Sequence, residues 1–345
     1  MHRLPVRRLA PFVLVAVALA GCSSVGESPA ATVNGQEISV DSVRSELKTI
    51  RSNRAYRSAL ERSYQMTLAG TSKGTFDATF TAQVLTLRVY YELVEQSFDG
   101  LGITVTKKGE KDARETIKEQ VDSLGENVWT RLPQKYRLQL GHQEALIEKA
   151  SDSATEGKIG RRYFDAHKAD FLDICVSHIL VSSADRSEDE AERMADEIKT
   201  ELDGGADFVE LAKARSEDPG SKDSGGDLDC DKPGRFVDEF DKATKTQPVG
   251  EVGEPVKTQF GYHVILVRSR KSRTFEDVSQ DPVLEFGRTA FEDYLIKLIC
   301  GKKTDVDVNP SYGRWDRSTC KGGAGLAQVT APKKPKSTKS TSGGQ

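Results

Sequence analysis

Tryptophan occurs twice and methionine three times in 345 residues, and histidine and cysteine are limited to five each. No CxxC and no Cys/His ligand spacing is present, so no zinc site and no metal is expected. Charge of one sign is also missing. Fifty basic residues stand against 53 acidic ones, a formal charge of −3, which leaves no whole-protein footprint for nucleic acid. Long hydrophobic runs are absent apart from residues 9–20, and mean hydropathy is −0.52, which excludes a protein of several membrane spans. What remains is an ordinary globular composition, 37% hydrophobic and 30% charged, in a chain long enough for two or three domains.

The first residues carry an address. Arg3, Arg7 and Arg8 form a basic segment, and Leu9–Ala20 an apolar one that suits a secretory signal better than a spanning helix. The run ends in Leu19-Ala20-Gly21-Cys22. This resembles the bacterial lipobox, which implies cleavage before a lipid-modified Cys22 and an anchor on the extracytoplasmic face of the cell membrane. The other cysteines, Cys175, Cys230, Cys300 and Cys320, would then sit in an oxidising compartment and form two disulfides. Three pairings are possible; Cys175–Cys230 with Cys300–Cys320 keeps each bridge inside one candidate domain.

Small polar residues after Cys22 suit a tether. Ala31–Ile38 reads as a hairpin around Asn34-Gly35, because that pair accepts positive φ. Asp41 is a candidate helix N-cap, followed by a long helical tract with Val43, Leu47 and Ile50 at helical spacing. A second helix is expected from Asp77 to Phe98, with Phe80, Val84, Leu87, Tyr91 and Val94 on one face. Further helices are expected from Thr106 to Leu124, Gln134 to Ala150 and Glu156 to Lys168. The texture changes near residue 175: short β-branched runs (Val176–Val181, Tyr262–Val267) mix with short helices (Ser187–Leu202, Asp207–Ala214) and glycine turns. That mixture describes an α+β domain. Helix returns over Leu284–Cys300, so the α+β unit is expected to be inserted in, or flanked by, a mostly helical domain. Residues 321–345 hold five lysines and no acid, and are expected to be disordered.

The chemistry concentrates in residues 175–271. Val176-Ser-His-Ile-Leu-Val181 leads to Ser216-Glu-Asp218, Gly225-Gly-Asp-Leu228 and Gly234-Arg-Phe-Val-Asp-Glu-Phe240. Val249-Gly-Glu-Val-Gly253 and Thr258-Gln-Phe-Gly-Tyr-His263 follow. These blocks, in this order, resemble the parvulin-type peptidyl-prolyl cis–trans isomerases. The resemblance implies an antiparallel sheet of about four strands with surrounding helices, and a catalytic set of His178, Asp218, Thr258 and His263. It also implies an apolar proline pocket of Leu228, Phe236 and Phe240 with Phe260 on the rim. No cofactor is implied. One departure stands out: the family usually continues Gly226-Asp-Leu228 with a glycine and an aromatic pair, whereas this chain has Asp229-Cys230-Asp231. The helical remainder, with its Val33-Asn34-Gly35 start and its ending near Val308–Trp315, resembles the chaperone module of SurA- and PrsA-like foldases.

The chain is therefore expected to divide into a signal peptide (1–21), a tether (22–31), a helical chaperone region (32–170) and a parvulin domain (171–272). A C-terminal helix and segment packing on the helical region (273–320) and the basic tail (321–345) complete it. The implied function is isomerisation of X–Pro bonds in newly exported, unfolded proteins. The alternative is a holdase that keeps the domain only to bind peptides.

Overall fold

The computed structural model describes residues 28–281, 284–323 and 325–332. Cys22, the signal segment, most of the tether and residues 333–345 lie outside them. In chain order the elements are β1 (Ala31–Val33), β2 (Gln36–Ile38), α1 (Val40–Ser52), α2 (Arg54–Tyr64), α3 (Ala78–Leu101), α4 (Lys107–Asp122), α5 (Gln134–Thr155) and α6 (Lys158–Ala166). Then follow β3 (Leu172–Ser182), α7 (Glu188–Asp203), α8 (Phe208–Arg215), β4 (Asp227–Asp231), α9 (Asp238–Thr246), β5 (Val256–Thr258) and β6 (Gly261–Ser272). The chain closes with α10 (Phe275–Ser279), α11 (Phe286–Cys300), β7 (Val306–Val308), β8 (Arg314–Asp316) and β9 (Gln328–Thr330).

Two compact units emerge. One comprises residues 28–89, Asp305–Trp315 and 329–332; the other comprises Tyr90–Thr304 and Asp316–Gln328. In the first, Asn34 and Gly35 take φ of 49° and 87° and close the expected hairpin. β7 adds to β1, pairing Ala31 with Val308, so the sheet order is β2-β1-β7. Two expectations need correction here. Ser39, not Asp41, caps α1 by accepting the Ser42 N–H, and Asp41 lies in the first turn, where its charge suits the helix dipole. The long tract breaks at Asn53, whose side chain accepts the Tyr56 N–H and starts α2.

The α3 face is also broader than its spacing suggested. Phe80 and Val84 are buried as expected, but so are Ala82, Leu85 and Val89. Residues 325–332, expected to belong to a disordered tail, are ordered, whereas 333–345 lie outside the described residues. Ala327 and Val329 are buried, and the Val329 N–H donates to the Thr86 hydroxyl (2.9 Å). A short apolar alternation within a lysine- and glycine-rich stretch is enough to make β9.

In the second unit, helices α5, α6 and α11 share a core with α3 and α10. Its members include Val94, Phe98, Leu146, Ala150, Phe275 and Phe286. The chain leaves this helical body at Leu172 and returns at Ser272, and those two residues are direct partners across β3 and β6. Between them lies a four-stranded antiparallel sheet of order β4-β3-β6-β5. β3 and β6 run well beyond the expected strands, because charged residues such as Asp173, Arg268 and Lys271 alternate along their outer ends and hide the apolar period.

Side-chain alternation decides what each face of that sheet carries. Ile179, Val181, Tyr262 and Val264 point to one face and pack under α7 with Ala191, Ala195 and Ile198. Ile174, Val176, Ile265 and Val267 point to the other and pack with Phe240 of α9. By the same period of two, His178 and His263 extend those latter rows. Both bridges pair as favoured: Cys175–Cys230 joins β3 to β4, and Cys300–Cys320 joins the end of α11 to the segment before β9.

Candidate functional site

His178 and His263 stand on neighbouring strands, 5% exposed each, with rings near parallel (16°) and Nδ1 atoms 2.9 Å apart. The outer nitrogen of each ring is also engaged. His263 Nε2 lies 2.9 Å from the Thr258 hydroxyl, and His178 Nε2 lies 2.8 Å from Asp218 Oδ2. The four residues singled out in the sequence thus form one unbroken chain, Thr258–His263–His178–Asp218.

Local structure explains the placement. Thr258 ends β5 and Gly261 begins β6, so the Gln259-Phe260 turn holds the hydroxyl five residues from His263, and the Phe260 N–H donates to it (3.1 Å). Asp218 follows α8 in a turn whose Gly220 N–H donates to Oδ1 (3.0 Å). Gly226, at φ 80°, accepts the His178 N–H through its carbonyl (2.8 Å), and a Cβ there would lie 2.2 Å from the His178 carbonyl oxygen. Only glycine fits that approach.

Beneath the imidazoles lies Phe240, 2% exposed. Its ring stands nearly perpendicular to both, with centroids 5.7 Å from His178 and 5.3 Å from His263. Phe236 packs on it at 4.9 Å, and Leu228 and Val256 complete the apolar wall. Phe260 is 54% exposed at the edge of the β5–β6 turn. The Asp241 carboxylate, buried in α9, accepts the Gly234 and Phe236 N–H groups and so fixes the loop that carries Phe236.

Two serines escaped the sequence reading. Ser221, 1% exposed, donates to Asp218 Oδ2 (2.5 Å) and lies 3.0 Å from His178 Nε2. Ser216, fully buried, accepts the Leu180 and Asp218 N–H groups (3.2 and 3.3 Å). Both flank the Glu217-Asp218 pair in the Ser216-Glu-Asp-Pro-Gly-Ser221 stretch, but a hydroxyl near an acid and a glycine turn does not by itself signal burial.

Protonation follows from burial. His178 is held below its ordinary pKa by burial, against the upward pull of Asp218. His263 is pushed down to about 4, by burial first and by His178 second. Burial works to raise the Asp218 pKa, but hydrogen bonds from Ser221, His178 and the Gly220 N–H hold it below the usual carboxylate range. At neutral pH the set is therefore one carboxylate and two neutral imidazoles.

That charge state fixes the direction of every proton in the chain. Ionised Asp218 can only accept, so His178 carries its hydrogen on Nε2 and presents a bare Nδ1. His263 must then donate from Nδ1, which leaves Nε2 to accept from the Thr258 hydroxyl. Among the described residues no group of three His, Cys, Asp or Glu side chains is gathered as metal ligands.

A four-stranded antiparallel sheet with paired central histidines, an acid at one end and a phenylalanine floor defines a parvulin-type domain. The family described as PPIC-type PPIASE domain matches residues 162–271. The foldase protein PrsA of Geobacillus kaustophilus (strain HTA426) is 35% identical over 191 residues, covering 55% of this chain and 56% of the relative. Foldase protein PrsA 2 of Bacillus cereus is 35% identical over 212 residues, covering 60% of this chain and 69% of the relative. The peptidylprolyl isomerase PrsA structure from Bacillus cereus aligns with 68% of this chain and 91% of its own, at 26% identity and a TM-score of 0.41. The chain belongs to the SurA/PrsA family of parvulin-type foldases. It spans 56%, 64% and 58% of the length of the first three curated relatives it matches.

Proposed function

We propose that this protein is a membrane-anchored extracytoplasmic foldase that catalyses cis–trans isomerisation of X–Pro bonds in exported polypeptides without making a covalent bond. The continuous Thr258–His263–His178–Asp218 chain above the Phe240 floor carries the reading. X–Pro rotation takes tens to hundreds of seconds unaided, because amide resonance must be broken. Phe240, Phe236 and Leu228 grip the proline ring, and Phe260 borders the entry. Asp218, partly exposed beside them, faces the carbonyl side.

A carboxylate near that carbonyl opposes the resonance form that places negative charge on oxygen. The C–N bond then loses double-bond character where the twist occurs. The site is complementary to the twisted amide, not to either planar form, which is the condition for acceleration. His178, His263 and Thr258 hold Asp218 and the pocket floor in register, and no nucleophile or cofactor takes part.

The rest of the chain supports a chaperone role. A cavity of about 340 Å³ in the helical body has mainly apolar walls of Leu101, Ile159, Tyr163, Ala290, Tyr294 and Leu298, with Arg162, Asp293 and Lys297 among its lining, a mixed surface suited to segments of unfolded clients. Lipid on Cys22 would supply the anchor, and among the described residues no helix is long and apolar enough to cross a membrane. Two disulfides agree with an oxidising compartment. The test is exchange spectroscopy on a proline tetrapeptide with the full mature chain. Acceleration above the uncatalysed rate is expected. Peptide binding without acceleration would favour the holdase reading, whose best support is the Asp229–Asp231 departure beside Leu228.

A further inference from the structure

We propose that Ser221 is a positioning residue that sets the direction of the proton chain by holding Asp218 as a pure hydrogen-bond acceptor. Three atoms form a closed triangle at the end of the chain. His178 Nε2 to Asp218 Oδ2 is 2.8 Å, Asp218 Oδ2 to Ser221 Oγ is 2.5 Å, and Ser221 Oγ to His178 Nε2 is 3.0 Å. Ser221 has one hydrogen and two candidate acceptors.

If that hydrogen goes to Asp218, both Ser221 and His178 donate to the carboxylate, and Ser221 Oγ keeps a lone pair facing the His178 Nε2–H. If it goes to His178 Nε2, the nitrogen and Oδ2 face each other as acceptors at 2.8 Å. Asp218 must then take up a proton to relieve the clash. The hydroxyl thus selects which end of the chain donates.

The serine is built for the task. It is buried, and its carbonyl is pinned by the Ser224 and Gly226 N–H groups (3.1 and 2.8 Å), which fixes the Oγ position. Of the other charges near Asp218, Glu217 is already committed. Glu217, its neighbour, pairs with Arg186 (2.6 Å) and accepts the Ser182 N–H, and β3 and β6 present only the neutral His178 and His263. Lys222 follows on the same turn. Asp218 therefore depends on Ser221, His178 and the Gly220 N–H for its charge.

A proton added to the Asp218–His178 pair has one consequence whichever of the two atoms takes it. His178 then donates from Nδ1, so His263 must accept there and carry its own hydrogen on Nε2. The tautomer of His263 is a direct reporter of chain direction.

The proposal rests on the isomerase reading for its kinetic arm alone. Nitrogen-15 spectra of the full mature chain at pH 7 should show hydrogen on His178 Nε2 and His263 Nδ1. Acidification should move the His263 hydrogen to Nε2. In Ser221→Ala the midpoint of that switch should rise by about one pH unit, a tenfold change in proton affinity. The acid limb of kcat/KM should rise with it, while kcat/KM at pH 8 falls only about threefold, the loss of one modest hydrogen bond. Ser221→Cys, nearly isosteric and a weaker donor, should give an intermediate midpoint and serves if the alanine variant does not fold. An unchanged midpoint in a folded variant overturns the proposal. A wild type with no isomerase activity would overturn the functional reading and leave the spectroscopic test standing.

Discussion

The two faces of the four-stranded sheet are stabilised differently. On the face under α7, Ile179, Val181 and Val264 meet Ala191, Ala195 and Ile198, all of them essentially inaccessible and, at the side chain, without a polar atom. On the other, the aliphatic rows Ile174–Val176 and Val267–Ile265 end in His178 and His263, and α9 supplies Phe240 beneath them. The first face needs only complementary shape. The second buries four ring nitrogens, each of which must find a partner or cost the sheet stability. It follows that damage to the first face should lower stability alone. Damage to the second should lower stability, activity and pH tolerance together.

The largest effect is expected where the backbone itself supports the polar face. Gly226→Ala would set a methyl group 2.2 Å from the His178 carbonyl oxygen at a positive φ. Neither atom is the end of a flexible side chain, so β3 or the Gly225-Gly226 turn must move. A cost of about 4 kcal/mol is expected, because the forced shift of β3 or the turn adds to the ~1–3 kcal/mol of backbone strain alone. Chemical denaturation measures it. Near-native stability would mean that the turn is looser than its contacts imply.

A matched pair of core truncations compares the faces directly. Phe240→Ala and Ile198→Ala each empty a fully packed position, and losses of about 3–5 and 2–5 kcal/mol are typical. Under conditions where both remain folded, the Ile198 variant should keep kcat/KM within about twofold of wild type. The Phe240 variant should lose at least about tenfold, equivalent to 1.36 kcal/mol of transition-state stabilisation. Equal kinetic losses would show that the pocket is not the seat of catalysis.

The pH dependence sharpens the contrast further. His263 titrates at about 4 in the folded chain but near 6.5 when unfolded. Between those values the unfolded state binds a proton that the folded state refuses, so stability climbs with pH and levels off above about 6.5. The full span is worth about 3 kcal/mol, and His178, also held low, adds in the same sense. Ile198→Ala should preserve the slope between pH 4 and 6.5. His263→Leu should reduce it to the part that His178 contributes.

Much of this site was legible before any coordinates. His178 and His263 sit in β-branched runs, and the parvulin resemblance picked out both together with Asp218 and Thr258. Ser221 was not legible, because its role depends on a turn that carries it back beside Asp218, and nothing in a serine three residues after an acid signals burial. α9 was missed for a related reason: its nine residues are mostly polar, and Phe240, Asp241 and Thr244 are its buried positions. β9 was lost to composition, since three apolar residues within a lysine- and glycine-rich tail carry too little period to read. In each case tertiary contact supplied what local pattern could not.

The smallest expected effect concerns the departure on β4. Asp229 stands where the resemblance to the parvulins leads one to expect glycine, and its φ is 60°, in the left-handed region. Aspartate tolerates that region better than most residues, and here the Asp229 N–H donates to the Asp227 side chain (2.8 Å), which steadies the bend. The strand keeps its course by another route as well, through the Cys175–Cys230 bridge to β3. Asp229→Gly would relieve a left-handed cost of about 1–2 kcal/mol and forfeit about 0.5–1 kcal/mol to the freer unfolded chain. A net gain of about 0.5–1 kcal/mol is expected, read as a rise in the denaturation midpoint. Since Asp229 is exposed and Leu228 beside it forms the pocket wall, kcat/KM should stay within about twofold. A destabilised Asp229→Gly would show that the aspartate contributes a contact of its own, and that the bend in β4 is set by its side chain and not merely tolerated by its backbone.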